Sequence, residues 1–223
     1  MFSRFGKKRV WGRDASDLEL RFEGIALEGL VRPNSGVVSV VVRPGLGQDH
    51  YRSEVVRRAN REWLQPWDAT LPPGSVEKLP TWHQFTRQLD EQMRDKSALT
   101  MVIEVNGEIA GQVTMGAVEH GALSQGILGY WIAERWGGLG VTSLAVAAVI
   151  DLVIGELGLH RVEVNVRPNN ERSLGLCRKL QLREEGYKPR FMSIAGNWED
   201  HVSFGVDAED LESGPLVERI RRR

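Results

Sequence analysis

Two segments of this 223-residue chain carry residue types at spacings suited to chemistry. The first runs Tyr130-Trp131-Ile132-Ala133-Glu134-Arg135-Trp136-Gly137-Gly138-Leu139-Gly140-Val141-Thr142 and sets a glycine-rich turn between a strand and the start of a long helix. Glycines let backbone N–H groups approach a ligand closely, and the unpaired amides and positive dipole end of the following helix favour a phosphate there. A tight strand-to-helix connection would use the same glycines, so this segment alone leaves both readings open. There is no Gly-Lys-Ser/Thr of a nucleoside-triphosphate loop, and Gly138-Leu139-Gly140-Val141-Thr142-Ser143 lacks the third glycine of a dinucleotide fingerprint.

The second segment is a strand, Arg161 to Val166, leading through Pro168-Asn169-Asn170 into a short helix that carries Ser173. Asn169 or Asn170 would cap that helix, and an asparagine at a helix mouth can also bind a carbonyl or a phosphate. Cys177 lies in the same helix with no histidine paired to it in sequence, which reads as a buried structural thiol rather than a nucleophile.

Around these segments the chain alternates strand and helix signals. Residues 1–35 read as an extension that opens with the basic residues Arg4, Lys7, Lys8, Arg9 and Arg13, with some order through Leu18 to Leu30. The β-branched run from Val37 to Val42 predicts a first strand, stopped by Pro44. Helices follow from Asp49 to Gln65 and from Pro80 to Arg94, then a hairpin of Leu99–Val105 and Ile109–Val118 joined by Asn106-Gly107. A strand over Gly126–Ala133, a long apolar helix over Val141–Leu157, the strand from Arg161 and a helix over Arg172–Leu180 come next. Strands at Arg183–Tyr187 and His201–Val206 flank Arg190–Ile194, and residues 207–223 form a polar, frayed tail. The order predicts a mixed α/β sheet with helices on both faces, its domain spanning residues 36–206.

Composition narrows the function. The formal charge of −1 offers no global positive field, so direct nucleic-acid binding is not expected. Leu144–Ile154 is too short to cross a bilayer, and no secretory apolar core follows the basic leader, which predicts a cytoplasmic protein away from membranes. One cysteine excludes an intramolecular disulfide and a multi-cysteine zinc site, and no metal is expected.

Taken together, the segments resemble the GNAT acetyltransferases, and within them the RimJ/RimL-type ribosomal-protein N-terminal alanine acetyltransferases. The resemblance rests on Gly129-Tyr130-Trp131, Gly138-x-Gly140, Pro168-Asn169-Asn170-x-x-Ser173, Lys179-Leu180-Gln181-Leu182-x-x-Glu185-Gly186 and Gly196-Asn197-Trp198-Glu199-Asp200-His201. Two registers fit the glycine loop, Gly137 to Thr142 and Arg135 to Gly140; the first starts the helix at Val141 and is preferred. Gln181-Leu182 stands where the family has Gly-Phe.

The resemblance implies a mostly antiparallel α+β sheet with two splayed parallel strands. It also implies direct transfer of acetyl from acetyl-CoA to a primary amine, most specifically the N-terminal α-amine of a ribosomal protein. Cofactor contacts then fall on Trp131, Ile132, Ala133, Gly137, Gly138, Leu139, Gly140, Val141, Thr142 and Ser143, with Asn170 and Ser173 as anchor and proton donor to sulfur. A backbone N–H of the Tyr130–Ala133 strand would stabilise the oxyanion. Glu163 would act as base through water or be a paired strand carboxylate, and Tyr130 would donate to the thiolate or simply pack. The acceptor would meet Trp63, Trp67, Arg190 and His201, with Pro66, Trp82 and Phe191 near by and Glu62 and Asp68 as attractors of an ammonium. Two other readings stay open: a small-molecule acetyltransferase acting on an aminoglycoside, polyamine or amino sugar, and a non-catalytic acyl-CoA-binding module. The chain is expected as a monomer or homodimer.

Overall fold

The computed structural model describes residues 9–77 and 80–222; the leader residues Arg4, Lys7 and Lys8 and the terminal Arg223 lie outside the described residues. A small hairpin of β1 (Arg9–Val10) and β2 (Arg13–Asp14) precedes β3 (Leu20–Glu23) and β4 (Ser39–Pro44). Then come α1 (Gln48–Ala59), α2 (Arg61–Leu64), α3 (Trp82–Arg94), β5 (Leu99–Val105), β6 (Glu108–Glu119) and β7 (Gln125–Ile132). The chain continues through α4 (Val141–Gly155), β8 (Arg161–Val166), α5 (Glu171–Lys179), β9 (Arg183–Ile194), β10 (Asn197–Asp207) and α6 (Leu216–Arg221). Eight strands form one sheet in the order β3-β4-β5-β6-β7-β8-β10-β9, in which β7 and β8 are the parallel pair.

Local chemistry explains most of these elements. Asn106 and Gly107 both adopt positive φ, 53° and 81°, the geometry of the two-residue turn that matches strand twist. Asn106 also accepts from the amides of Val38 and Ser39 through its side-chain oxygen, tying the β5–β6 turn to β4. Thr81 caps α3 in a reciprocal box with Gln84. Apart from Asp151, helix α4 is apolar from Leu144 to Ile154, and it is accordingly the buried centre of the molecule, packed on β4, β6, β7 and β8. Arg43 on β4 pairs with Asp49 at the start of α1 and with Glu104 on β5, fixing where α1 leaves the sheet.

Three expectations change. The segment before Asn34 is integral to the sheet and core: β3 pairs with β4, and Trp11, Leu18, Leu27 and Leu30 are buried. The two expected pieces Arg183–Tyr187 and Arg190–Ile194 are one long strand, because β9 lies at the sheet edge, where Pro189 interrupts no interior ladder. Arg190 forms a bulge there at φ 49°, its amide donating to Asp200. The tail is not frayed, since α6 packs on α4 with Leu216 and Ile220 buried. Three apolar residues among charges are too weak a pattern to announce a six-residue helix. Its first amides, Leu216 and Val217, instead find an acceptor far away in sequence, the Asp151 carboxylate at 2.7 and 3.0 Å.

Asp151→Ala removes that cap and is expected to lower unfolding stability by about 1 kcal/mol. Urea titration of the variant against the wild type checks it; equal midpoints would show that α6 holds without the cap.

Candidate active site

Strands β7 and β8 pair over only three positions, Gln125 with Arg161, Gly126 with Val162 and Ile127 with Glu163. Beyond them each strand stays bonded to its outer neighbour, β7 to β6 as far as Ile132 and β8 to β10 as far as Val166. The two facing edges therefore part, and a cleft of about 630 Å³ opens between Leu128–Ile132 and Val164–Arg167. Peptide groups on those edges have no strand partner and are available to a ligand.

The glycine loop closes one end of the cleft. Gly138 and Gly140 both take left-handed φ, 73° and 91°, for different reasons. A side chain on Gly138 would enter open space, whereas a Cβ on Gly140 would lie 2.4 Å from the Leu30 carbonyl oxygen. Arg32 donates its amide to the Leu139 carbonyl at 2.8 Å, so the N-terminal segment braces the loop from behind. Helix α4 starts at Val141 with Gly140 as its N-cap and no side-chain cap among the described residues. Its first amides, with Thr142, Ser143 and the cations Arg172 and Lys179 on the cleft wall, gather donors and positive charge of the kind that suits a phosphorylated ligand.

The expected cofactor residues divide by orientation. Trp131, Ile132, Gly137, Gly138, Gly140, Thr142, Ser143, Asn170 and Ser173 line the cleft. Leu139 packs against the core, Val141 is fully buried in it, and both can offer only backbone groups. Ala133 is buried with its amide donated to Ala110, which leaves the β7 amides before it as the candidates for an oxyanion contact.

At the mouth of α5, the Asn170 side chain accepts from the Ser173 amide at 3.2 Å, serving as the N-cap. Beside Ser173 lie the Tyr130 hydroxyl and the Cys177 thiol. Burial raises Tyr130 well above the usual phenol range and pushes Cys177 up to about 12, so both keep their protons at neutral pH. The Tyr130 hydroxyl is buried against Ser173 and Cys177 without a hydrogen bond of full geometry, and a bound acceptor atom would supply one.

The other end of the cleft is built by residues 57–69, which cross it. Trp63 donates its indole N–H to the Ile132 carbonyl at 3.0 Å and lies under the Arg172 guanidinium, 4.3 Å from the ring centre. Arg167 sits over Trp67 and donates to the Pro66 carbonyl, while Arg57 sits over Trp131 and pairs with Asp68. His201 is 3% exposed and faces the cleft. Glu163 stands behind the lining, bound to Lys188 and to the Asn165 amide; burial would raise its carboxyl, but these partners hold it below the usual range. Arg190 is exposed on its bulge, and Trp82 is exposed on α3; neither lines the cleft.

Arg57, Asn165, Arg167, Arg172, Lys179 and Met192 line the cleft without having been singled out in the sequence as site residues. Two were within reach, because positions 163, 165 and 167 share one face of a strand and a candidate at Glu163 points to its neighbours. Nothing in the helical pattern of α1 marks Arg57.

Comparison with known proteins follows the same geometry. Residues 46–183 match the acetyltransferase (GNAT) domain family. The [ribosomal protein uS5]-alanine N-acetyltransferase of Escherichia coli is 28% identical over 178 residues, covering 78% of this chain and 91% of that protein. Mycobacterium smegmatis RimJ, solved with CoA-disulfide, is 31% identical with a TM-score of 0.75, covering 85% of this chain and 90% of that one. The ribosomal-protein-S5-alanine acetyltransferase of Vibrio fischeri has 26% identity and a TM-score of 0.68, covering 77% and 94%.

The two left-handed glycines should respond differently to alanine. Gly138→Ala bears only the backbone cost, about 1 kcal/mol, while Gly140→Ala adds a clash with a backbone carbonyl and should lose roughly 2–4 kcal/mol. Denaturant midpoints of the two variants test the order; equal losses would mean that the Leu30 brace yields freely.

Proposed function

The chain belongs to the GNAT acetyltransferase family, and from that premise we propose that it carries acetyl from acetyl-CoA to the N-terminal α-amine of a cytoplasmic protein. A ribosomal protein starting with alanine or serine is the favoured acceptor. The activity is assigned to residues 36–206, with the flanking segments as its braces. The observation that carries the reading is the parting of β7 from β8, which joins an anion site at the glycine loop to an opening crossed by residues 57–69.

In this reading the α4 amides, Thr142 and Ser143 hold the pyrophosphate, with Arg172 and Lys179 adding positive charge. The free edge of β7 holds the pantetheine arm as an added strand would be held, and orients the thioester carbonyl toward an edge amide. The amine attacks that carbonyl directly, since juxtaposition alone can lower such a barrier by several kcal/mol and needs no enzyme-bound acyl group. Ser173, fixed by Asn170, and the protonated Tyr130 supply hydrogen-bond donors beside the leaving sulfur. Cys177, fully buried and held protonated, stays outside the chemistry.

Charge at the acceptor end favours a peptide terminus over a polycation. Asp68 is paired with Arg57, Glu199 with Arg167 and Glu163 with Lys188, so these carboxylates are already neutralised. Polyamines and aminoglycosides bring several ammonium groups that would each need a partner, whereas a peptide brings one ammonium and an extended backbone. The described residues contain no helix long and apolar enough to cross a membrane, and no cluster of three His, Cys, Asp or Glu side chains able to hold a metal.

Free thiol released from acetyl-CoA should depend on added Ala- or Ser-starting peptide and should rise little with spermidine or an aminoglycoside. Preference for the polycations would overturn the acceptor assignment, and tight acetyl-CoA binding without any turnover would point to a regulatory module. Gly138→Asp, which sets a carboxylate against the pyrophosphate, should raise KM for acetyl-CoA at least about tenfold with the peptide KM little changed. An unaltered acetyl-CoA affinity in that variant would remove the phosphate assignment of the loop.

A further inference from the structure

The acetyl-transfer reading leaves one step without an agent: an N-terminal ammonium must lose a proton before its nitrogen can attack. Glu163, the strand carboxylate nearest in sequence to the cofactor motif, is engaged by Lys188 and Asn165 and held in its weakly basic, ion-paired form. Asp68 and Glu199 are likewise tied to arginines. Among the described residues that line the cleft, one titratable group at this end has a free basic atom.

That group is His201. Its Nδ1 lies 3.0 Å from the Glu199 carbonyl oxygen, an atom that can only accept, so Nδ1 carries the proton and the lone pair of the neutral ring is on Nε2. Among the described residues Nε2 has no hydrogen-bond partner, and the ring, though nearly buried, lines the cleft. Phe191 packs edge-on against it at 5.4 Å and fixes its plane. The β10 position is favourable too, because its neighbour Val202 pairs with Val166, three residues beyond the point at Glu163 where β7 and β8 part.

We propose that His201 Nε2 is the general base of the reaction, accepting a proton from the acceptor ammonium at the open end of the cleft. The inference rests on the acetyl-transfer reading. The ammonium gives one proton to Nε2, the nitrogen lone pair forms the bond to the thioester carbonyl carbon, and the carbon–sulfur bond breaks as the tetrahedral centre collapses. The second amine proton goes to the departing sulfur by way of Ser173 or water, and the imidazolium returns its proton to solvent. The sum is acetamide, CoA thiol and one proton.

The surrounding charges set the pH range. Burial lowers the imidazole from its ordinary value and Arg167 lowers it further, against the raising effect of the Glu199 carbonyl and the charges of Glu199 and Asp200; Lys188 stands opposite on β9. Activity should therefore rise with pH through an inflection below about 6.5. A base this weak takes a proton from an α-ammonium, of pKa about 8, far more readily than from a lysine ε-ammonium, of pKa about 10.4.

The test compares wild type with His201→Gln on two peptides, one with an N-terminal alanine and one with an aminooxyacetyl terminus, whose nucleophilic nitrogen is already neutral at pH 7. For the alanine peptide, kcat/KM should fall about 10²-fold or more and the acidic inflection should vanish, while the aminooxy peptide loses less than about threefold. Acetyl-CoA affinity, measured by calorimetry, should be unchanged. Equal losses on both peptides would make His201 a positioning residue, and an unchanged pH profile would remove it from the chemistry; either overturns the proposal. Should the variant fail to bind acetyl-CoA, the imidazole resonances of wild-type His201 decide: titration at the kinetic inflection supports the assignment, and titration elsewhere refutes it. If wild type binds acetyl-CoA but acetylates no primary amine, the functional reading falls together with this inference, whereas turnover unaffected by His201→Gln sinks the inference alone.

Discussion

The structure turns on a hydrogen-bond ladder that stops. β7 and β8 share pairing up to Ile127 and Glu163, and from there each is held only by its other neighbour. An open ladder inside a sheet is ordinarily a cost, because peptide groups denied both water and a partner lose the energy of the bonds that they do not make. Here the exposed edges face a cleft, so the same groups become a binding surface whose shape is set by the backbone.

Holding two strands apart needs something between them, and the segment from Arg57 to Ala69 supplies it. Trp63 reaches the Ile132 carbonyl, Arg167 reaches back to the Pro66 carbonyl, and three arginines lie over three indoles around the opening. Each stack contributes roughly 0.5–2 kcal/mol, and two of them also orient a guanidinium toward a partner, Arg57 toward Asp68 and Arg167 toward the Pro66 carbonyl and Glu199. The far side of the glycine loop is braced by Leu30 to Arg32. Chain regions before β5 therefore shape both ends of the site. The same pairing that shapes the acceptor end also neutralises its carboxylates, which leaves an uncharged imidazole as the group best suited to receive a proton.

Much of this could be read in the residues themselves. Asn106-Gly107 has one favourable turn geometry, the β-branched and alternating runs have one favourable partner state, and Val141 to Leu152 is too apolar to be anywhere but inside. The preferred register of the glycine loop starts α4 at Val141, and the helix does begin there. Asn170 and Ser173 were recognisable because capping is a local, near-neighbour interaction. Arg190 and Trp82 fell outside the cleft because the direction of a side chain on a bulged edge strand, or on a helix with an open face, depends on packing that no local pattern encodes.

The division follows from the range of the forces involved. Backbone sterics, capping and periodic hydrophobicity act over a few residues, so the order of elements, the glycine turn and the capped helix beside it were written in neighbouring side chains. The packing of β3 and α6, the pairing of Glu163 with Lys188, the Arg57–Asp68 bridge over Trp131 and the edge-on contact of Phe191 with His201 join residues that are distant along the chain or belong to different elements. Those contacts exist only once the sheet has brought β7, β8, β9 and β10 side by side, and the chemistry available in the cleft depends on which charges that assembly leaves unpaired.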